Sequence, residues 1–226
     1  MIFRVTYVTM NHHPMIQTQI SAEERTAFFA KLQQLVQHPA GQLAKQDELY
    51  IEQQLSEVLG FEVAAELESN RLAHATGVMA ALPHLRRYPS DVLANHQEYQ
   101  EAGLASRRSQ FGWFTELGQL TPDAANREKY FFAAPISFQP EWPQKFSEIK
   151  TWYKYRKMIV VNPIEKLAVV GVMADIDPHN SLQHQFGGSP EVVREGLIWS
   201  YQSRGKVLFL FVNDFGNQVP LGPIEL

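Results

Sequence analysis

Residues 158 to 197 read MIVVNPIEKLAVVGVMADIDPHNSLQHQFGGSPEVVREGL, and their texture decides the fold. Met158 to Val161 and Leu167 to Met173 are rich in β-branched residues and flank Asn162-Pro-Ile-Glu-Lys166, which predicts a strand, a turn and a second strand. Ile159 to Val161 and Val169-Val170 place apolar side chains at adjacent positions. Neighbours on a strand point to opposite faces, so both faces are covered, as in a small closed barrel. Lys206 to Val212 supplies another apolar strand, and Val219 to Leu226 a last short one. Between the buried runs lies Ala174 to Leu197, polar and rich in turns, the kind of insert that rigid elements hold in place for chemistry.

Within that insert Ser189-Pro190-Glu191 predicts a helix start: Ser as N-cap, Pro pre-set at the first helical position, Glu against the dipole. Val192 and Val193 can pack inward, and Gly196 stops the helix after two turns. Gly187-Gly188 permits positive φ or close approach by a ligand.

Working outward, Ser21-Ala-Glu-Glu24 is a capping box, and Phe28, Phe29, Leu32, Leu35 and Val36 behind it recur at helical spacing. A second helix from about Asp47 carries Ile51, Leu55, Val58 and Leu59 to Gly60. Residues 61 to 79 read equally as strand or helix. Thr121-Pro-Asp123 opens a further helix, Tyr130 to Phe138 reads as a strand ended by Pro140, and Trp142 to Tyr155 as a helix with Phe146, Ile149 and Trp152 or Tyr153 on one face. Phe3, Val5 and Tyr7 alternate as in a strand, and His12-His13 reads as a surface turn. The fold class is therefore α+β: a mostly helical region over residues 1–125 and a β-barrel-like region over residues 126–226, able to pack as one unit.

The chain has 226 residues, enough for a core without staples, and 20 Lys and Arg against 24 Asp and Glu. That balance, with only short basic clusters, excludes nucleic acid as the expected partner. With no cysteine there is no disulfide, thiolate metal site or Cys nucleophile. No run of 18 apolar residues spans a membrane, and Arg4 breaks the opening stretch, so no secretory signal is expected there. G-x-S-x-G, G-x-G-x-x-G and the P-loop pattern are missing, and Ser189 is committed as a cap, so neither a hydrolase triad nor a nucleotide is expected.

Strand, turn, strand, then Asp175-x-x-Pro178, a loop, Ser189-Pro190 opening a short helix, and a final apolar strand resemble the double-psi β-barrel of rare lipoprotein A-like and expansin-like proteins over residues 157–226. The motifs Arg87-Tyr88-Pro89, Lys154 to Met158, Val160 to Pro163 and Phe186 to Val192 (FGGSPEV) resemble those of a set of uncharacterised bacterial proteins. The barrel resemblance implies six strands, a location in the cell envelope or outside the cell, no cofactor, and a peptidoglycan-like glycan as ligand. It implies Asp175 as the general acid and base of a lytic transglycosylase-like reaction. Asp177, two residues on and on the same side of an extended chain, would raise the affinity of Asp175 for its proton. Gly187, Gly188, Ser189, His184 and Arg156 become the substrate-binding candidates. Asp177 stands where that pattern has Gly, and Leu182-Gln183-His184 where it has a Gly-Lys or Gly-Arg turn.

Other readings of these residues stay open. The barrel could be a non-catalytic scaffold for carbohydrate or protein. Asp175, Asp177, His179 and His184 could serve a metal-dependent hydrolase, although Pro178 bends the path and no metal ligand set is expected. The aspartates could simply cap turns. Arg86-Arg87 to Asp91 and Phe111-Gly-Trp-Phe114 could bind a carboxylate or sugar, or form packed core with arginines reaching to solvent.

Overall fold

The computed structural model describes residues 21–139, 141–176 and 184–226. The strand expected over residues 3–7, His12-His13, Pro140, Asp177 and His179 lie outside them. Among the described residues the helices are α1 (Ala22–Gln37), α2 (Lys45–Leu59), α3 (Pro122–Lys129), α4 (Trp142–Tyr153) and α5 (Pro190–Glu195). The strands are β1 (Val63–Ala64), β2 (Glu66–Leu67), β3 (Asn70–Arg71), β4 (Thr76–Ala81), β5 (Phe131–Ala134), β6 (Lys157–Asn162), β7 (Leu167–Ile176), β8 (Phe186–Gly188), β9 (Lys206–Val212) and β10 (Gly222–Glu225). No described helix is long and apolar enough to cross a membrane.

Six strands close into a barrel in the cyclic order β9, β4, β8, β5, β7, β6. Two neighbouring pairs, β4 with β8 and β5 with β7, are parallel, and the other four are antiparallel. Exchanging β9 with β6, β4 with β7 and β8 with β5 reproduces the same ring and the same parallel pairs. Phe132 on β5 meets Phe209 on β9 with ring centroids 4.9 Å apart. These strands are not neighbours in the ring, so the contact crosses the lumen, and Phe186, Met158, Val160 and Phe211 join it.

The adjacent apolar positions of β6, β7 and β9 divide as the period-two rule requires. Met158 and Val160 face inward, while Ile159, Val161, Val170, Leu208 and Leu210 pack against Phe28, Phe29, Leu32, Ile51 and Leu55 of α1 and α2. Two helices thus cover the outer face. Ser21 starts α1 with the expected box, its Oγ accepting the Glu24 N–H and its own N–H donating to Glu24. Gly60, at φ 75°, ends α2.

Helical structure in the first half stops at Leu59. Residues 60 to 81 form short strands, and residues 82 to 121 run irregularly with two single 3-10 turns, Leu93–Asn95 and Gln100–Ala102. Strand β4 comes from this half, so the barrel draws on both sides of residue 125. The strand expected over Tyr130 to Phe138 ends at Ala134, because Pro135 has no N–H to donate and Ile136–Phe138 turns as a 3-10 helix. In α4, Ile149 and Tyr153 face the core but Phe146 is exposed, with non-helical backbone at Lys145 between them and the helix start.

Strand β7 lies close to its neighbour at Gly171, where an added Cβ would sit 2.5 Å from the Tyr130 carbonyl oxygen and 2.7 Å from the Phe132 ring. A backbone carbonyl in a barrel wall has nowhere to go. Gly171→Ala is expected to destabilise the protein by about 2 kcal/mol or more, the cost of overpacking. Equilibrium denaturation checks this, and a change within about 0.5 kcal/mol, the usual surface value, would contradict the packing.

Candidate functional site

Asp175 is half-buried near the end of β7, just past a bulge where Phe132 pairs with Met173 but Ala133 pairs with Asp175. An extra residue in a strand re-aims the side chains beyond it. Asp175 Oδ1 accepts the backbone N–H groups of Gln110 at 2.7 Å and Ile176 at 2.9 Å.

Ala133 pairs with Asp175 on one side and with Gly187 on the other. A Cβ on Gly187 would meet Leu82 at 2.4 Å, and one on Gly188 would meet Met79 and Val192 at 2.9 Å. Neither glycine has positive φ. The space a side chain would need at either glycine is taken by the chain's own side chains. Ser189 is fully buried as the α5 cap, accepting from Val192 N–H at 3.2 Å and donating to the Lys129 carbonyl at 2.6 Å. The His184 ring lies 6.2 Å from that of Trp199. The Arg156 carbonyl accepts the Met173 N–H at 2.9 Å, and its guanidinium lies 4.2 Å over the Trp152 ring and 3.6 Å from Glu68.

Arg156 lines a cleft of about 600 Å³ together with Arg127, Trp152, Lys154, Tyr155 and Phe215. Lys157 and Asp214 lie at its floor as a 2.5 Å ion pair. Four cations and two carboxylates line this cleft, on a chain whose net charge is -4. Phe215 is 88% exposed. Asp175 is not among the lining residues.

A second constellation was not foreseen. Residues 82 to 121 are held to α3 and α5 by buried ionisable groups: His84, Arg87, Asp91, His96, Glu128 and Glu191. Asp91 is its anchor. Its carboxylate accepts from Arg87 N–H at 2.9 Å, Arg87 Nε at 3.2 Å and Asn95 Nδ2 at 3.0 Å, and lies 3.2 Å from His96 Nε2. Burial works against its charge, but the bonds from Arg87 and Asn95 outweigh this and hold the carboxyl well below its ordinary value. The His96 Nδ1 then faces Glu128 Oε2 at 3.2 Å.

Glu128 sits on the buried side of α3, four residues after Ala124. Its Oε1 accepts the Leu85 N–H at 3.0 Å and lies 3.6 Å from His84 Nδ1. Burial pushes this carboxyl up, and the two imidazoles more than offset it, leaving Glu128 below its ordinary value. His84 Nε2 faces the carbonyls of Glu98 at 3.0 Å and Tyr99 at 3.3 Å, which only accept, so this nitrogen carries the proton. His84 Nδ1 is turned toward Glu128 and, at 4.0 Å, Glu191 Oε2. Among the described residues, neither that nitrogen nor that oxygen has a hydrogen-bond partner. Burial pushes Glu191 up to about 7. An adjoining pocket of about 300 Å³ is lined by Arg87, Asn95, His96, Glu128, Lys129 and Glu191. The donor atoms of His84, His96 and Glu128 all lie within 4.8 Å of one another, close enough to share an ion.

No fixed spacing joins residues 84, 96, 128 and 191, so a motif search passes over them. One signal was visible: a carboxylate four residues from Ala124, on the apolar side of a capped helix. The expected choice at Arg86 to Asp91 resolves as packed interior, since Arg87 is spent on Asp91, and Phe111 and Phe114 are buried.

Asp214 also accepts the N–H groups of Gln218 at 2.8 Å and Val219 at 2.9 Å. Burial opposes its charge, but Lys157 and these donors hold it below its ordinary 3.8. A depressed carboxyl stabilises the fold above its unfolded value and loses that contribution as pH falls. The stability difference between wild type and Asp214→Asn is therefore expected to be full at neutral pH and to shrink as pH drops through and below 3.8; a pH-independent difference in urea titrations would contradict this. No protein family, curated protein or solved structure matches the chain.

Proposed function

We propose that this chain is a carbohydrate-binding protein on a double-psi type of barrel, and that its ligand is an acidic, peptidoglycan-like glycan lying in the cleft of Trp152, Tyr155 and Phe215. The observation that carries this reading is an exposed aromatic ring, Phe215, at a cleft where four cations outnumber two carboxylates on an acidic chain. Flat rings take the C–H faces of sugars, and guanidinium and ammonium groups take their carboxylates. The two parallel pairs in a ring that maps onto itself, and the run from β6 through Asp175 to Ser189, support the double-psi assignment.

Soluble muropeptides titrated into the protein are expected to bind, and Phe215→Ala, which removes no buried contact, to weaken them by about 1 kcal/mol, roughly fivefold. Unchanged affinity in Phe215→Ala and Trp152→Ala, or no binding to wild type, refutes the reading.

A second reading adds lytic chemistry at Asp175, favoured by the bulge that re-aims this carboxylate on the barrel wall. A general acid must be held at the scissile bond by fixed partners, and the Gln110 and Ile176 N–H groups hold Oδ1. On this reading wild type releases soluble fragments from peptidoglycan and Asp175→Asn does so at least about 100-fold more slowly. Equal release by the two proteins excludes it.

A further inference from the structure

The group of His84, His96, Glu128 and Glu191 has a geometry that protons alone explain poorly. Four nine-tenths-buried side chains converge, and two of their polar atoms, His84 Nδ1 and Glu191 Oε2, have no hydrogen-bond partner among the described residues. Orphaned buried polar atoms are costly, and two aimed at one point mark the place of something that satisfies both.

We propose that His84 Nδ1, His96 Nδ1 and a carboxylate oxygen of Glu128 bind a divalent transition-metal ion of the zinc type, with the fourth position open toward Glu191 and the adjoining pocket. Tetrahedral ligands about 2.0–2.1 Å from an ion stand roughly 3.3 Å apart. His96 Nδ1 lies 3.2 Å from one Glu128 oxygen and His84 Nδ1 3.6 Å from the other, and one donor atom from each of the three residues lies within 4.8 Å of the other two, so a small rotation of the carboxyl brings a single oxygen to both imidazoles. The donor set, two imidazoles and a carboxylate, suits zinc-class ions and not magnesium or calcium.

The outer groups fit as well. A ligating imidazole needs its other nitrogen held as a donor. His84 Nε2 is held by the Glu98 and Tyr99 carbonyls, and His96 Nε2 by Asp91, itself fixed by Arg87 and Asn95. Charge also closes: two neutral imidazoles, the carboxylates of Glu128 and Glu191 and a doubly charged cation sum to zero, while Asp91 balances Arg87. Buried charge is tolerated on those terms. This site is independent of the carbohydrate reading, since none of its ligands lines the aromatic cleft.

The test is binding of metal alone to chelator-stripped full-length protein. Zn²⁺ is expected to bind one per chain by calorimetry and native mass spectrometry, and Co²⁺ to give the intense visible bands of a low-coordinate site. Glu128→Gln and the double variant His84→Ala/His96→Ala should lose at least about 100-fold in affinity, Asp91→Asn about tenfold, and Glu191→Gln should keep the ion. Should the substituted chains not fold, imidazole ¹⁵N shifts in wild type decide: Zn²⁺ must move the Nδ1 signals of two histidines while their Nε2 stays protonated. No ion bound at several-fold excess, binding untouched by the histidine and Glu128 changes, or coordination through Nε2 each overturns the proposal.

Discussion

Strands β6, β7 and β9 are apolar on both faces, and the rest of the molecule follows from satisfying that. Closing the sheet gives the inner face a lumen, filled by Phe132, Phe186 and Phe209 across the barrel. The outer face needs a separate cover, and α1 and α2 supply it with Phe28, Leu32, Ile51 and Leu55, all fully buried. Each such side chain contributes roughly 1.5–3 kcal/mol by leaving water. A barrel without those helices would expose Ile159, Val161, Leu208 and Leu210 together.

Residues 82 to 121 are organised by charge as well as by apolar contacts. They have almost no regular secondary structure, so their path depends also on what their polar groups can reach. Asp91 gathers Arg87, Asn95 and His96, and Glu128 gathers Leu85 N–H, His84 and His96. Removing one member of such a group strands the others in a dry interior, which makes these contacts mutually dependent.

Helix α3 separates the aromatic cleft from the buried ionisable group. Arg127 turns to the aromatic cleft and the next residue, Glu128, to the histidines, while Asn126 borders both. Consecutive positions on a helix lie about a quarter-turn apart, so two turns of helix serve two unlike environments. The Thr121 cap and Pro122 fix where this helix begins and therefore which residue faces which side.

The sequence by itself determined what depends on neighbouring residues: the capping box at Ser21, the Ser189-Pro190 helix and its stop at Gly196, the Asn162 turn between β6 and β7, and the strands whose two faces must both be covered. Only the tertiary structure decided what depends on residues far apart. It brought β4 into the barrel, filled the space beside Gly187 and Gly188 with Leu82, Met79 and Val192, placed Arg156 in a cleft that Asp175 does not line, and joined positions 84, 91, 96, 128 and 191. The reason is physical: caps, turns and alternation are short-range preferences of the backbone, written within a few residues. Convergence of ionisable side chains is set by how elements pack, and no local spacing records it.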